Sequence, residues 1–335
     1  MQRLPRILPF SNISKFSTSS QLSTRVQPLT FLTEEEKALV QRVKTFAQNS
    51  VKPLVKEMDK SGQVNKSLID EVFKMKLMGL EAKKEYGGSE SSFFDVLLTI
   101  EELSKVDAGF AVNVHLQNAI VVPIACAGIR SVPLPSLKQH LDPMPLQCKL
   151  PHAPLADFFI VLANANPEKG YKGVTCFLVD RKEKGVTVGK KDDTLGMRAV
   201  SVSSVHFDNV RVPKSAILGE FGQGYKYAID VLNASRILIG AQMVGLAQGC
   251  FDETIPYLRQ RKQFGQRLID FQGLQHQIAK TRIDIEAARL LVYNSGRMKD
   301  CGVSFVKEAS MAKYLAPEVS VISWGPYQFL LQVEV

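Results

Sequence analysis

The chain has 335 residues, 45% hydrophobic and 22% charged, with a net charge of +9. That is enough for two or three domains around a sizeable core, and its positive charge is not gathered into the dense Lys/Arg stripe that nucleic acid requires. Cys126, Cys148, Cys176, Cys250 and Cys301 lie far apart without a C-x-x-C pair, which argues against a disulfide framework and a zinc site and leaves no metal expected.

Before Glu34 there is no acidic residue, while Arg3, Arg6, Lys15 and Arg25 share the stretch with Ser11, Ser14, Ser17, Ser19, Ser20 and Ser23. A basic, Ser-rich, acid-free leader without a long apolar run reads as a mitochondrial transit peptide over residues 1–30, a disordered basic tail being the alternative. The mitochondrial matrix is therefore the expected location, with thiols reduced and the sequons at Asn65 and Asn233 unused.

Residues 31–129 carry a helical period. Thr33 with Glu36 fits a capping box, and Leu39, Val43, Phe46, Ala47, Leu54 and Met58 follow at mostly three- and four-residue spacings. Gly87-Gly88 marks a loop, after which Phe94, Val96, Leu97, Ile100 and Leu103 resume the pattern. The apolar tract Ala111 to Ile129 is broken by Asn113, His115, Gln117 and Asn118. A spanning helix needs about 20 mostly apolar residues, so a buried helix is expected and no membrane span.

Residues 130–156 fit neither neighbour. Pro133, Pro135, Pro143, Pro145, Pro151 and Pro154 rule out a helix or a central strand, and an interdomain linker is the plain reading. From 157 to 215 the period changes to two. Phe158–Leu162, Val174–Val179, Val186–Val188 and Val202–Phe207 are short β-branched or aromatic runs between turn-rich segments, which predicts antiparallel strands. Residues 219–335 return to long helical segments, Tyr225–Gln260, Phe271–Lys299 and Phe305–Ile322, too apolar to stand alone and so expected to form a bundle. The fold class is α+β and multi-domain: an N-terminal all-α domain, a small antiparallel β domain and a C-terminal helical bundle.

No dinucleotide-binding G-x-G-x-x-G, Walker loop, H-E-x-x-H or G-x-S-x-G occurs in a usable context. Arg261 with Gly265 close by suits a pyrophosphate, although an arginine at a helix end is more often a dipole partner or simply solvated. Arg236, within the apolar segment carrying Ile237, Ile239 and Met243, predicts a buried arginine that is paired or binds an anion. Tyr171 and Tyr225, each directly after a glycine, are pocket-wall or packing residues.

Several segments, taken in order, resemble the acyl-CoA dehydrogenase family. They are Glu85-Tyr86-Gly87-Gly88, Glu101-Glu102-Leu103-Ser104, Gly170-Tyr171-Lys172-Gly173, Phe177-Leu178-Val179-Asp180, Gly196-Met197-Arg198 and Phe207-Asp208-Asn209-Val210. Further along come Gly222-Gln223-Gly224-Tyr225, Gly245-Leu246-Ala247-Gln248-Gly249, Arg261-Lys262-Gln263-Phe264-Gly265 and Phe271-Gln272-Gly273-Leu274. The likeness is nearest to the branch acting on short and branched acyl chains. It implies FAD-dependent α,β-dehydrogenation of an acyl-CoA substrate such as 2-methylbutyryl-CoA, electrons passing to electron-transfer flavoprotein, and a homotetramer. It also implies that Arg261 and Gln272 hold FAD, Arg261 reaching a neighbouring subunit's cofactor. Tyr171, Tyr225, Asn233, Ala234, Ser235 and Arg236 match the family's acyl-CoA contacts.

The chain departs from the family at two places. The Thr/Ser-Glu-x-x-x-Gly-Ser-Asp and Trp-Ile-Thr/Ser segments that hold the flavin have no counterpart where the proline-rich stretch stands, so the β domain is expected to be partly missing. After Ile322 the run carrying the family's catalytic glutamate has no counterpart, so the bundle is expected to be truncated. Some branches place the base directly before the substrate arginine, where this chain has Ser235. No catalytic residue is nominated. An active dehydrogenase and a catalytically silent splice or gene-structure variant, acting in binding or assembly, both remain open at this point.

Overall fold

The computed structural model describes residues 28–121 and 146–332. The leader up to Gln27, the greater part of the proline-rich stretch and the last three residues lie outside the described residues.

The first helix, α1 (Glu34–Phe46), starts where the capping box places it. The Thr33 hydroxyl accepts the Glu36 amide at 3.2 Å, and the Glu36 carboxylate accepts the Thr33 amide at 2.8 Å. Leu39, Val43 and Phe46 face the core. Beyond Phe46 the chain widens into a π-turn at Ala47–Val51 and tightens into a 3-10 turn at Lys52–Leu54. Pro53, which cannot donate a backbone hydrogen bond, sits where the spacing changes. Then follow α2 (Val55–Ser61), stopped by left-handed Gly62, and α3 (Lys66–Lys74), capped by the Asn65 side chain. The helix α4 (Phe93–Ser104) is buried on nearly every side, as an apolar helix without a polar face must be.

The broken apolar tract begins as α5 (Ala108–Leu116) and continues into a π-turn at Gln117–Val121. Its two asparagines are buried and bonded. Asn118 accepts from the Leu80 amide at 2.8 Å and donates to Leu77 and Val114 carbonyls at 2.9 Å. Asn113 donates to the Gly109 and Phe110 carbonyls. The described part of the tract is a core helix, with the rest outside the described residues.

Among the described residues, two three-stranded antiparallel sheets form the β unit. One has the order β1 (Leu146–Pro151), β5 (Val202–Phe207), β4 (Val186–Lys191). The other runs β2 (Phe158–Asn164), β3 (Val174–Asp180), β6 (Ile217–Leu218). Phe159 of β2 and Phe207 of β5 meet edge to face at 5.8 Å, joining the sheets.

The linker reading of residues 130–156 is corrected at its end. Leu146 to Pro151 pair with Phe207 to Val202, because Leu146-Gln147-Cys148-Lys149-Leu150 is free of proline and Pro151 closes an edge strand, where a missing donor is tolerated. The following turn is held by Arg181, which donates to the carbonyls of Ala153 and Pro154 at 2.9 Å and Ala156 at 3.0 Å.

The C-terminal bundle consists of α6 (Gly224–Gln260), α7 (Gln272–Asp300) and α8 (Val306–Gln332). By length and composition α6 could cross a membrane. Here it lies against α4, α7 and α8 with Ile237, Leu238, Ala241, Val244 and Ala247 wholly buried, which makes it the core helix of the bundle. Asp300 at the end of α7 accepts the Phe93 and Phe94 amides, each at 3.0 Å, capping α4 from another element.

A bidentate pair joins the outer ends of α7 and α1. Arg297 donates to the Glu36 carboxylate at 2.6 and 2.9 Å and stacks over the Phe94 ring at 3.6 Å. Burial alone would raise the Glu36 carboxyl, but Arg297 and the Thr33 amide hold it below its ordinary value of 4.5. A depressed folded-state value stabilises the protein above the unfolded value, and that stabilisation is lost as pH falls below it. Glu36→Gln is therefore expected to be less stable than the parent near neutrality. The gap should narrow as urea melts are repeated from about pH 6 down to about pH 3. A gap constant with pH would reject the charge pair as its source.

Candidate functional site

The start of α6 is laid directly on β3. The Gly222 amide donates to the Thr175 hydroxyl at 3.0 Å, and a Cβ on Gly224 would stand 2.8 Å from the Thr175 carbonyl carbon. Only glycine allows this approach. It carries Tyr225, the second residue of α6, to Tyr171 on the 3-10 segment Pro167–Gly173. The rings lie 5.1 Å apart at 53°, and both stay open to solvent, 60% and 46% exposed. Gly170, at φ 55° and ψ −131°, supplies the backbone reversal before Tyr171 that other residues avoid. The two tyrosines singled out from sequence thus form one exposed aromatic ledge.

About two turns further along α6, roughly 12 Å at 1.5 Å per residue, lies the segment Asn233, Ala234, Ser235, Arg236. Asn233 and Ala234 are buried, while Ser235 and Arg236 are half-buried. The buried arginine expected from sequence is corrected to a half-buried one. Its neighbours are apolar, but the helix turns its side chain toward a margin, where it donates to the Asn233 side-chain oxygen. A guanidinium carries five N–H donors, so that bond leaves donors for an anion or a carbonyl.

The Ser235 hydroxyl lies 3.0 Å from Nε2 of His115, on α5. His115 is 1% exposed, and burial pushes its imidazole down to about 4, which keeps it neutral near pH 7. The sequence reading noticed His115 only as an interruption of an apolar tract. Its one local signal was a polar side chain on a helix with no polar face.

Arg261 and Gln272 lie at the opposite end of α6. Arg261 caps that helix, its amide donating to the Tyr257 carbonyl. A two-stranded hairpin, β7 (Lys262–Gln263) and β8 (Gln266–Arg267), then leads to exposed Gln272 at the first position of α7. Residues 261 and 272 thus bracket one surface. A Cβ on Gly265 or Gly273 would meet nothing within 4 Å, so the hairpin tip and the N-terminal turn of α7 are unobstructed. An arginine, an amide side chain and an open helix N-terminus suit a diphosphate. Along α6, Arg261 is about 25 residues from Arg236, roughly 37 Å, so one chain does not bring the two groups together. No group of three or more His, Cys, Asp or Glu among the described residues could hold a metal ion.

Sequence models of the family match in chain order. The "Acyl-CoA dehydrogenase, N-terminal domain" matches residues 33–130, the middle domain 149–210 and the C-terminal domain 222–325. The mitochondrial short/branched chain specific acyl-CoA dehydrogenase of Rattus norvegicus is 40% identical over 349 residues, covering 94% of this chain and 81% of the relative. That alignment is longer than the chain's own 335 residues, so the relative holds internal positions that this chain lacks. Among solved structures, butyryl-CoA dehydrogenase from Megasphaera elsdenii superposes with a TM-score of 0.76 at 28% identity, covering 89% of each chain. A chain from the electron transferring flavoprotein of Acidaminococcus fermentans gives 0.79 at 27% identity, covering 90% of each.

Proposed function

This chain belongs to the acyl-CoA dehydrogenase family, and on that premise we propose that it dehydrogenates short and branched acyl-CoA thioesters, 2-methylbutyryl-CoA first among them, between Cα and Cβ. FAD is the proposed cofactor, electron-transfer flavoprotein the electron acceptor and the mitochondrial matrix the location. The carrying observation is that α6 bears both Tyr225, which meets Tyr171 in the ledge, and the Asn233–Arg236 segment about two turns further on. An acyl-CoA is long, apolar in part and anionic at one end. A ledge of two aromatic faces and a half-buried guanidinium with donors to spare match those two needs.

FAD, when bound, supplies the acceptor for the hydride leaving Cβ. Arg261, Gln272 and the open N-terminus of α7 would hold its diphosphate. The distance between this surface and Arg236 supports a homotetramer in which Arg261 serves a neighbouring subunit's cofactor. The outer faces of α7 and α8 support it too, since Ile283, Tyr314 and Val321 are each at least 67% exposed, an apolar face suited to another copy. Arg236→Ala and Arg261→Ala proteins are each expected to lose dehydrogenase activity. Coexpressed, they should regain about a quarter of it, the share of sites that takes Arg236 from an Arg261→Ala chain and Arg261 from an Arg236→Ala chain. No recovery in mixed assemblies would mean that each site is built within one chain.

A second reading, a catalytically silent binding or assembly protein, is favoured by the alignment that outruns the chain and by Ser235 where some branches carry a base. Absorbance spectroscopy separates the two. A dehydrogenase purifies yellow and bleaches on adding 2-methylbutyryl-CoA without oxygen. A colourless protein that still binds the thioester in calorimetry supports the second reading.

A further inference from the structure

We propose that Ser235 and His115 form a nucleophile–base pair that takes the acyl group from a CoA thioester and hydrolyses it, a reaction separate from dehydrogenation. The inference rests on the acyl-CoA reading of α6 for its substrate class, and on the contact between Ser235 and His115 for its chemistry.

Ser235 Oγ and His115 Nε2 stand 3.0 Å apart, and which of them donates depends on the imidazole tautomer. Gln242 of α6 lies near the imidazole, and its Nε2 donates to the Ala108 carbonyl at 3.1 Å. Its remaining oxygen, Oε1, and His115 Nδ1 are both buried, and neither has a hydrogen-bond partner. These two atoms can satisfy one another only with the proton on Nδ1, because an amide oxygen cannot donate. In that tautomer Nε2 is the bare acceptor and the Ser235 hydroxyl donates to it, as a serine activated by a neutral base must. The three residues come from two helices, α5 and α6, that the core holds rigidly. Ser235 is the half-buried member, next to Arg236 on the segment assigned to the thioester.

The Ser235 oxygen attacks the thioester carbonyl carbon while Nε2 of His115 takes the hydroxyl proton. The carbon–sulfur bond breaks with its electron pair on sulfur, and His115 returns the proton to give the free thiol of CoA. Water then attacks the Ser235 ester with its proton passing to His115 and back to the serine oxygen, leaving the carboxylic acid and the original enzyme. Nothing is oxidised or reduced.

Two probes test this on the full-length protein, p-nitrophenyl butyrate, which needs no CoA site, and butyryl-CoA. Both are expected to leave one butyryl group on the peptide carrying Ser235, seen by mass spectrometry after acid quench. Butyryl-CoA should also release free thiol. Ser235→Ala should abolish the adduct and lower release about 100-fold. Ser235→Cys, which keeps a nucleophile in place, should retain the adduct. His115→Gln should lower acylation by both probes if it folds, and the two serine variants decide the matter if it does not. Absence of the adduct with both probes, or release from Ser235→Ala equal to the parent, overturns the pair and leaves the bond a tie between helices. An adduct from the ester with none from butyryl-CoA overturns the thioester assignment. Calorimetric titration of Ser235→Ala with butyryl-CoA reports acyl-CoA binding separately, so a failure of that reading is recognised as such.

Discussion

Arg289→Met is expected to cost about 3–5 kcal/mol of folding stability, read from urea denaturation at pH 7. Arg289 sits on α7 facing α4 and α6, only 9% exposed. Its Nε donates to Glu101 at 3.0 Å, one Nη to Glu286 at 2.7 Å and the other to Gln248 at 2.9 Å. Burial works against the guanidinium charge, and the carboxylates of Glu101 and Glu286 more than offset it. Glu101 is 2% exposed, inside the apolar face of α4. Removing the arginine leaves that carboxylate buried beside Tyr293, whose hydroxyl is held well above its usual range first by burial and then by Glu101. The cost is mainly the stranded charge, so removing both partners is the informative control. The double variant Glu101→Met with Arg289→Met should recover most of the loss, because a buried pair exchanged for apolar side chains of similar size is close to neutral. A single variant within about 1 kcal/mol of the parent would mean that Glu101 finds water or another donor.

Replacing Gly245 and Gly249 together by alanine is expected to cost about 2–4 kcal/mol in total. The two glycines are four apart and share the face of α6 that crosses α4. A Cβ on Gly245 would lie 2.3 Å from the Glu101 carbonyl oxygen, and one on Gly249 would lie 2.1 Å from that of Lys105. Both obstacles are backbone carbonyls, one within α4 and one at the residue capping its C-terminus, so α4 must shift as a body. Alanine is the better helix former by about 1 kcal/mol per site, and overpacking at about 1–3 kcal/mol per site outweighs it here. Gly273→Ala tests the sign. Its Cβ would enter open space, so it should stabilise the protein by up to about 1 kcal/mol. Equal effects at all three positions would mean that helix propensity rather than helix contact governs them.

The same contrast between local and distant causes separates what was legible in the sequence from what was not. The switch from a period near 3.6 to a period of 2 and back located α1, α4, α6 and α7 and the strands β2 to β5 within a few residues. The capping box at Thr33 announced the first helix. These are properties of neighbouring residues, and neighbours in sequence stay neighbours in the fold. β1 was missed because its short proline-free run lies inside a stretch whose average composition excludes a helix or a central strand and reads as a linker, and pairing with β5 makes it an edge strand. Tyr171 and Tyr225 were recognised singly, but their meeting depends on glycines packed against β3. Arg236 was read as buried from its apolar neighbours, and its half-exposure depends on how α6 is rotated against the rest of the bundle.

By itself, then, the sequence determined the order of helical and β regions, the family and the residue types on α6 that suit an acyl-CoA. Only the tertiary structure decided that His115 stands against Ser235, 120 positions away, and that Arg289 of α7 neutralises Glu101 of α4. Periodicity records which face of an element turns inward. Which residues meet there depends on how the helices cross, and that is set by packing contacts between segments far apart in the chain.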